Sequence, residues 1–290
     1  MWADATRAEA FRLIHSRTTW FWSVIFLPIL TLVVGVPAAW VMKANMARLA
    51  ADTDAPPELK AMLVSGPMNL GESLLQSAGN LTGPGLLLFT LIGAATVYAG
   101  DYRWETWRLL RPRHGRIPLL VGKVLVVTGL SLIAMVIFTA ATMTSEALRG
   151  VIFNRTLGFS LDGSETATLF ALWGLAALRV SQFLMLGLLA AVATRSLMAA
   201  LFVPLAVGVA QFFPPDLLGA MGQAPDSWYV LLSSPGAALA ALQGLLDPTA
   251  VALADPGLLP LKAWLSLLGW TVLPLAGALV LFQRQDLSKE

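Results

Sequence analysis

Cysteine is absent from these 290 residues, and histidine occurs only twice, as His15 and His114. Without cysteine there are no disulfides and no thiolate metal sites. The two histidines stand far apart in sequence, and no His-Glu-x-x-His or similar ligand spacing is present, so no metal site is expected. Charge is scarce as well. Charged residues make up 12% of the chain, against roughly 25% in a soluble domain, while hydrophobic residues make up 57% and the mean hydropathy is +0.73. A surface of this composition cannot be solvated by water alone. The net charge of +2 is too small to argue for nucleic acid as a partner.

Catalytic patterns are missing too. The serines have no histidine and acid neighbours of the kind a nucleophilic site needs. A phosphate loop requires Gly, four residues, then Gly-Lys-Ser/Thr. Gly122-Lys123 is followed by Val124, and position 117 is Ile, so the chain has no ATPase site of its own. It is not expected to be an enzyme.

Long apolar runs are what the sequence does have. A bilayer core needs about 20 apolar residues per helix. Six runs meet or approach that length: Trp20–Met42, Leu81–Ala99, Pro118–Met143, Ala167–Thr194, Leu197–Phe213 and Leu261–Phe282. In hydrocarbon the backbone must satisfy its own hydrogen bonds, so these runs are expected to be helices. The predicted fold is an all-α polytopic membrane protein, one transmembrane domain over 1–290. The first run is too long for a signal-peptide core and reads as a retained span.

Lys and Arg in the connections set the orientation. With the N-terminus inside, eleven of the nineteen fall in inner connections and six in outer ones, with Lys123 and Arg179 within spans. Eleven of the seventeen acids lie outside. Both termini are therefore expected in the cytoplasm, and a cysteine-free chain fits a bacterial cytoplasmic (inner) membrane.

Three connections carry further pattern. Residues 1–18 place Phe11 and Ile14 among Arg7, Arg12 and Arg17, which suggests an interfacial elbow helix with its arginines near anionic lipid headgroups. The outer segment 214–260 contains Ser234-Pro235 followed by an apolar stretch, an N-capped helix too short to span. It reads as a re-entrant or interfacial element, or as a helix in an outer loop. The inner connection 101–116 packs five arginines and two tryptophans between Asp101 and Arg116. Trp104, Trp107 and Leu110 recur at three-residue spacing, Glu105 and Arg108 are at pairing distance on a helix, and Pro112 ends it. The reading is either a short amphipathic helix that meets a protein partner or a basic loop with headgroup-level tryptophans.

This segment resembles the inter-span coupling region of the type-2 ATP-binding-cassette (ABC) exporter permeases. Their acid, Thr, Leu-Leu, Pro, basic residue, small residue and Lys are matched by Asp101, Thr106, Leu109-Leu110, Pro112, Arg116, Gly122 and Lys123. The elbow, the six spans and the outer re-entrant helices before the last span are similar in architecture. Asp101 stands where Glu is commoner, and Glu105 where Gly is frequent. The resemblance implies a permease subunit that pairs with a second copy or a paralogue and docks a cytoplasmic ABC ATPase subunit, which would bind ATP and Mg. This chain would hold no cofactor itself. The implied ATPase-coupling interface is Asp101, Arg103, Trp104, Glu105, Thr106, Trp107, Arg108 and Leu109.

Arg179 is the one formal charge deep within a run, and Gln182 lies on the same helix face. Charges placed so usually face a bundle interior and mark pathways. Arg179 and Gln182 are the candidate translocation residues. The alternative is that Arg179 pairs internally with a carbonyl or an outer acid. No Asp or Glu falls inside the six runs, which weighs against a secondary transporter coupled through carboxylates. An integral-membrane enzyme is weakened by the scatter of the outer acids Asp216, Asp226, Asp247 and Asp255.

Overall fold

A computed structural model describes residues 2–46, 48, 66–103, 116–246 and 257–285. Six of its helices are long and apolar enough to cross a membrane. The chain is an all-α multi-pass membrane protein.

α1 (Trp2–His15) places Ala5, Glu9 and Leu13 on one buried stripe at four-residue spacing. Phe11 and Ile14 point away, 65% and 64% exposed. Ser16 leaves the helical region at φ −85°, ψ 81° and turns the chain into α2 (Arg17–Ala44). The Trp20 indole N–H pins that corner by donating to the Leu13 carbonyl at 3.1 Å. Near its start α2 contains a π-helical turn, Phe21–Ile25. It begins three residues before the apolar run because Thr19 is buried and bonded to the hydroxyls of Ser16 and Thr96.

α3 (Leu70–Gly79) follows, capped by the Asn69 side chain. It was not expected. Met68–Asn69 pairs in parallel with Leu157–Gly158, a two-residue ladder in an otherwise helical protein. A side chain on Gly71 would fall on the Ser160 carbonyl, so this close approach requires glycine. α4 (Pro84–Arg103) starts later than the apolar run Leu81–Ala99, because Asn80–Thr82 forms a 3-10 turn and proline takes the first helical position.

α5 (Arg116–Ile152) has 37 residues, about 55 Å at 1.5 Å per residue. It outruns the expected Pro118–Met143 because helix formation does not end where hydropathy does. Glu146 and Arg149 pair at three-residue spacing in the polar extension, and Lys43 donates to the terminal Ile152 carbonyl. α6 (Gly163–Thr194) starts earlier than Ala167. Asp162 and Glu165 form a capping box there, each side chain accepting from the other's backbone N–H. The helices thus reach past the apolar runs and include Asp101, Glu146 and Glu165 near their ends.

α7 (Leu197–Ala210) and α8 (Phe213–Ala220), with a turn at Gln211 between them, together make the fifth span, Leu197–Ala220, which runs past the expected end at Phe213. α9 (Trp228–Ser233), α10 (Pro235–Leu246) and α11 (Leu259–Arg284) complete the described chain. As expected, α10 starts at Pro235, with the Ser234 hydroxyl accepting from the Ala237 N–H at 3.3 Å.

α6 is the axis, packed by α3, α4, α7, α10 and α11. Its spanning window is 78% buried, whereas that of α2 is 17% buried. Large apolar side chains such as Val33, Phe202 and Leu273 cover the exposed faces. Water solvates such a surface poorly, and lipid does not. The α9–α10 hairpin inserts beside α11. Ser266 Oγ donates to the Leu231 carbonyl at 2.6 Å, and Trp270 Nε1 to that of Leu232 at 2.8 Å. Those positions lie about 10 and 16 Å along α11 from its start.

Candidate functional site

Two polar centres interrupt the apolar bundle, one at the α1 end and one midway along α6.

At the α1 end, four charges from three helices meet. α1 contributes Glu9 and Arg12, which share a face at three-residue spacing. Asp101 comes from the last turn of α4 and Lys123 from the second turn of α5. Lys123 Nζ lies 2.6 Å from Asp101 Oδ2 and 3.2 Å from Glu9 Oε1, and donates to the Val97 carbonyl at 3.1 Å. Arg12 Nη2 donates to Asp101 Oδ1 at 2.8 Å, and Nη1 to Glu9 Oε1 at 3.2 Å. Asp101 and Lys123 are fully enclosed, Glu9 nearly so, and Arg12 is half exposed.

Among the described residues, two acids and two bases meet here. Removing any one leaves the remaining buried charges unbalanced, which is the costly outcome, whereas the intact set adds little to stability by itself. Burial works to lower the Arg12 pKa, but the hydrogen bond and charge of Asp101, helped by Glu9, outweigh it and hold the guanidinium above its ordinary value. Gly122 brings α1 close to α5. A Cβ there would sit 3.3 Å from the backbone of Ala5 and Thr6, a tight contact that α1 would have to relieve by a few tenths of an ångström. Beside the cluster is a cavity of about 520 Å³ walled by Glu9, Arg12, Ser16, Thr19 and Thr96.

Of the expected coupling interface, Asp101 is therefore a buried anchor. Arg103 is the last residue of α4. Trp104, Glu105, Thr106, Trp107, Arg108 and Leu109 lie in 104–115, outside the described residues. Glu9 and Arg12 were missed as site residues. The signal was an acid on the otherwise apolar stripe Ala5–Glu9–Leu13.

Arg179 sits at the middle of α6 and is 8% exposed. Nη1 donates to Gln182 Oε1 at 2.8 Å and Nη2 to Gln211 Oε1 at 3.2 Å, and the guanidinium lies 4.7 Å from the Phe183 ring centre. Gln182 in turn donates to the Leu267 carbonyl of α11 at 2.8 Å. Arg179 and Gln182 are thus brought together as expected. Gln211, from the break after α7, was not anticipated because nothing in sequence connects it to α6. The partners are amide oxygens, where an acid or a backbone carbonyl was the internal alternative. Among the described residues no carboxylate lies within ion-pair distance of Arg179.

Among the described residues there is also no group of three or more His, Cys, Asp or Glu able to hold a metal ion. His15 instead packs on Phe11, ring centres 4.2 Å apart. The chain matches no protein-family model, and no curated protein matches it.

Proposed function

We propose that this chain is the membrane-spanning permease subunit of an ATP-driven ABC exporter, working as a pair and driven by a separate cytoplasmic ATPase subunit that binds ATP and Mg. The observation that carries the reading is the ion cluster. Segment 104–115 is bracketed by Asp101 at the end of α4 and Lys123 near the start of α5, and these two are ion-paired. Glu9 and Arg12 join α1 to the same pair. A force applied to the segment is then passed to three helices together, because no one of them can shift without parting buried charges. The resemblance of 101–116 to a coupling region and the six spans support the same reading.

In this reading Trp104, Glu105, Trp107 and Arg108 contact the ATPase, and Arg179 and Gln182 face the cargo. The chain resides in a bacterial inner membrane with both termini cytoplasmic, as the distribution of Lys and Arg favours. The test is purification of the tagged chain from its native host in mild detergent. A stoichiometric cytoplasmic ATPase, lost when Trp104, Glu105 and Arg108 are replaced by alanine, is the expected result. A chain that purifies alone, and whose transport follows an imposed proton gradient, is a secondary transporter instead.

A further inference from the structure

Among the described residues no carboxylate neutralises Arg179. α10 begins beside it: a Cβ on Gly236, the second residue of that helix, would lie 3.6 Å from Arg179 Nη2. A helix N-terminus carries roughly half a positive charge, so the nearest dipole adds to the cation. Gln182 and Gln211 offer amide oxygens, which orient the guanidinium without cancelling its charge. The Gln211 amide NH2 donates to no group among the described residues. A buried cation, a helix N-terminus and a spare amide donor converge at the midpoint of the most buried helix. Broken helices in transporters aim their N-termini at the acidic groups of cargo in this manner.

An apolar cavity of about 550 Å³ opens between α6 and α11, lined by Leu186, Leu189, Leu265, Ser266, Trp270 and Leu273. Leu186 is one helical turn from Gln182 on the same face. Ser266 adjoins Leu267, whose carbonyl takes the Gln182 amide. The polar centre and the apolar cavity are therefore consecutive along α6.

We propose that Arg179, Gln211 and the N-terminus of α10 bind the oxyanion head of an anionic amphiphile, a carboxylate or phosphate, whose tail occupies the cavity between α6 and α11. As a statement about cargo this rests on the permease reading. As a statement about a ligand it does not, since the binding needs no ATPase.

The experiment uses the full chain in phosphatidylcholine nanodiscs and measures binding of oleate, methyl oleate, acetate and inorganic phosphate by calorimetry. The expected result is saturable oleate binding at least about tenfold tighter than methyl oleate. That preference is abolished in Arg179→Gln and weakened in Gln211→Leu, and acetate and phosphate do not displace oleate. Equal affinity of the wild-type chain for oleate and its methyl ester overturns the proposal, and that comparison needs no variant to fold. Displacement of oleate by acetate or phosphate overturns it in favour of a site for free anions. Failure here with a co-purifying ATPase leaves the permease reading standing. Success without one supports the ligand and removes the motor.

Discussion

Asp101 Oδ2 lies 2.6 Å from Lys123 Nζ, and the two residues stand on either side of segment 104–115. The pair closes the base of the segment, and Glu9 and Arg12 tie α1 across the closure. Its energetic character follows from burial. It adds little to stability while whole, and it penalises every arrangement in which its members separate.

Replacing Lys123 by Met leaves the buried acids Asp101 and Glu9 in excess of their remaining cation among the described residues, Arg12, with an expected loss of about 3–5 kcal/mol. Asp101→Asn removes one of the acids and is costly for the same reason. The double variant should lose less than the sum of the two, since each offsets the charge imbalance the other creates. Denaturant unfolding in detergent measures all three. Fully additive losses would mean that the two residues are not coupled.

Gly122→Leu should displace α1 while leaving the spans in place. Its Cβ alone would sit 3.3 Å from the backbone of Ala5 and Thr6, and the three further carbons need more room than that contact leaves. Limited trypsin digestion of the variant is expected to cut faster at Arg7 and Arg12 than in the parent, with the rates at other sites unchanged. An unchanged cleavage rate would show that α1 does not rest on Gly122.

The capping box at the start of α6 predicts a pH dependence. The backbone N–H of Glu165 and the Ser164 hydroxyl hold the Asp162 carboxyl below its ordinary value. A group with a depressed folded pKa stabilises fully above its unfolded value and loses that contribution as pH falls through the folded one. The unfolding midpoint of the parent should therefore drop relative to Asp162→Asn as pH is lowered through and below the ordinary carboxylate range. Parallel curves for parent and variant would remove Asp162 as the cause.

Trp270→Phe deletes the hydrogen bond that fixes the tip of α9 to α11, a loss of about 1 kcal/mol. Because the chain has no cysteine, a single Ser233→Cys gives a clean label site in the hairpin. Reaction with a water-soluble maleimide is expected to be slow in the parent background and faster with Trp270→Phe. Equal rates in the two backgrounds would show that the hairpin is held by other contacts.

Hydropathy and the need of a lipid-solvated backbone to bond to itself made the all-α character and six spanning helices legible before any coordinates. So did the start of α10, written locally as Ser-Pro, and the shared face of Arg179 and Gln182, which follows from helical spacing. The ends of helices were less legible. Hydropathy measures where lipid stops, whereas α5 continues to Ile152 on a Glu146–Arg149 pair and α6 starts at a capping box spelled by Asp162 and Glu165. Only the tertiary structure brought Glu9, Arg12, Asp101 and Lys123 together, and Gln211 to Arg179. These partners come from different helices, and which helix faces touch is decided by packing, here by Gly122 admitting α1 and by the α9–α10 hairpin reaching the middle of α6. One sequence therefore determined the solvent of this protein, and its packing decided where the few charges could be buried.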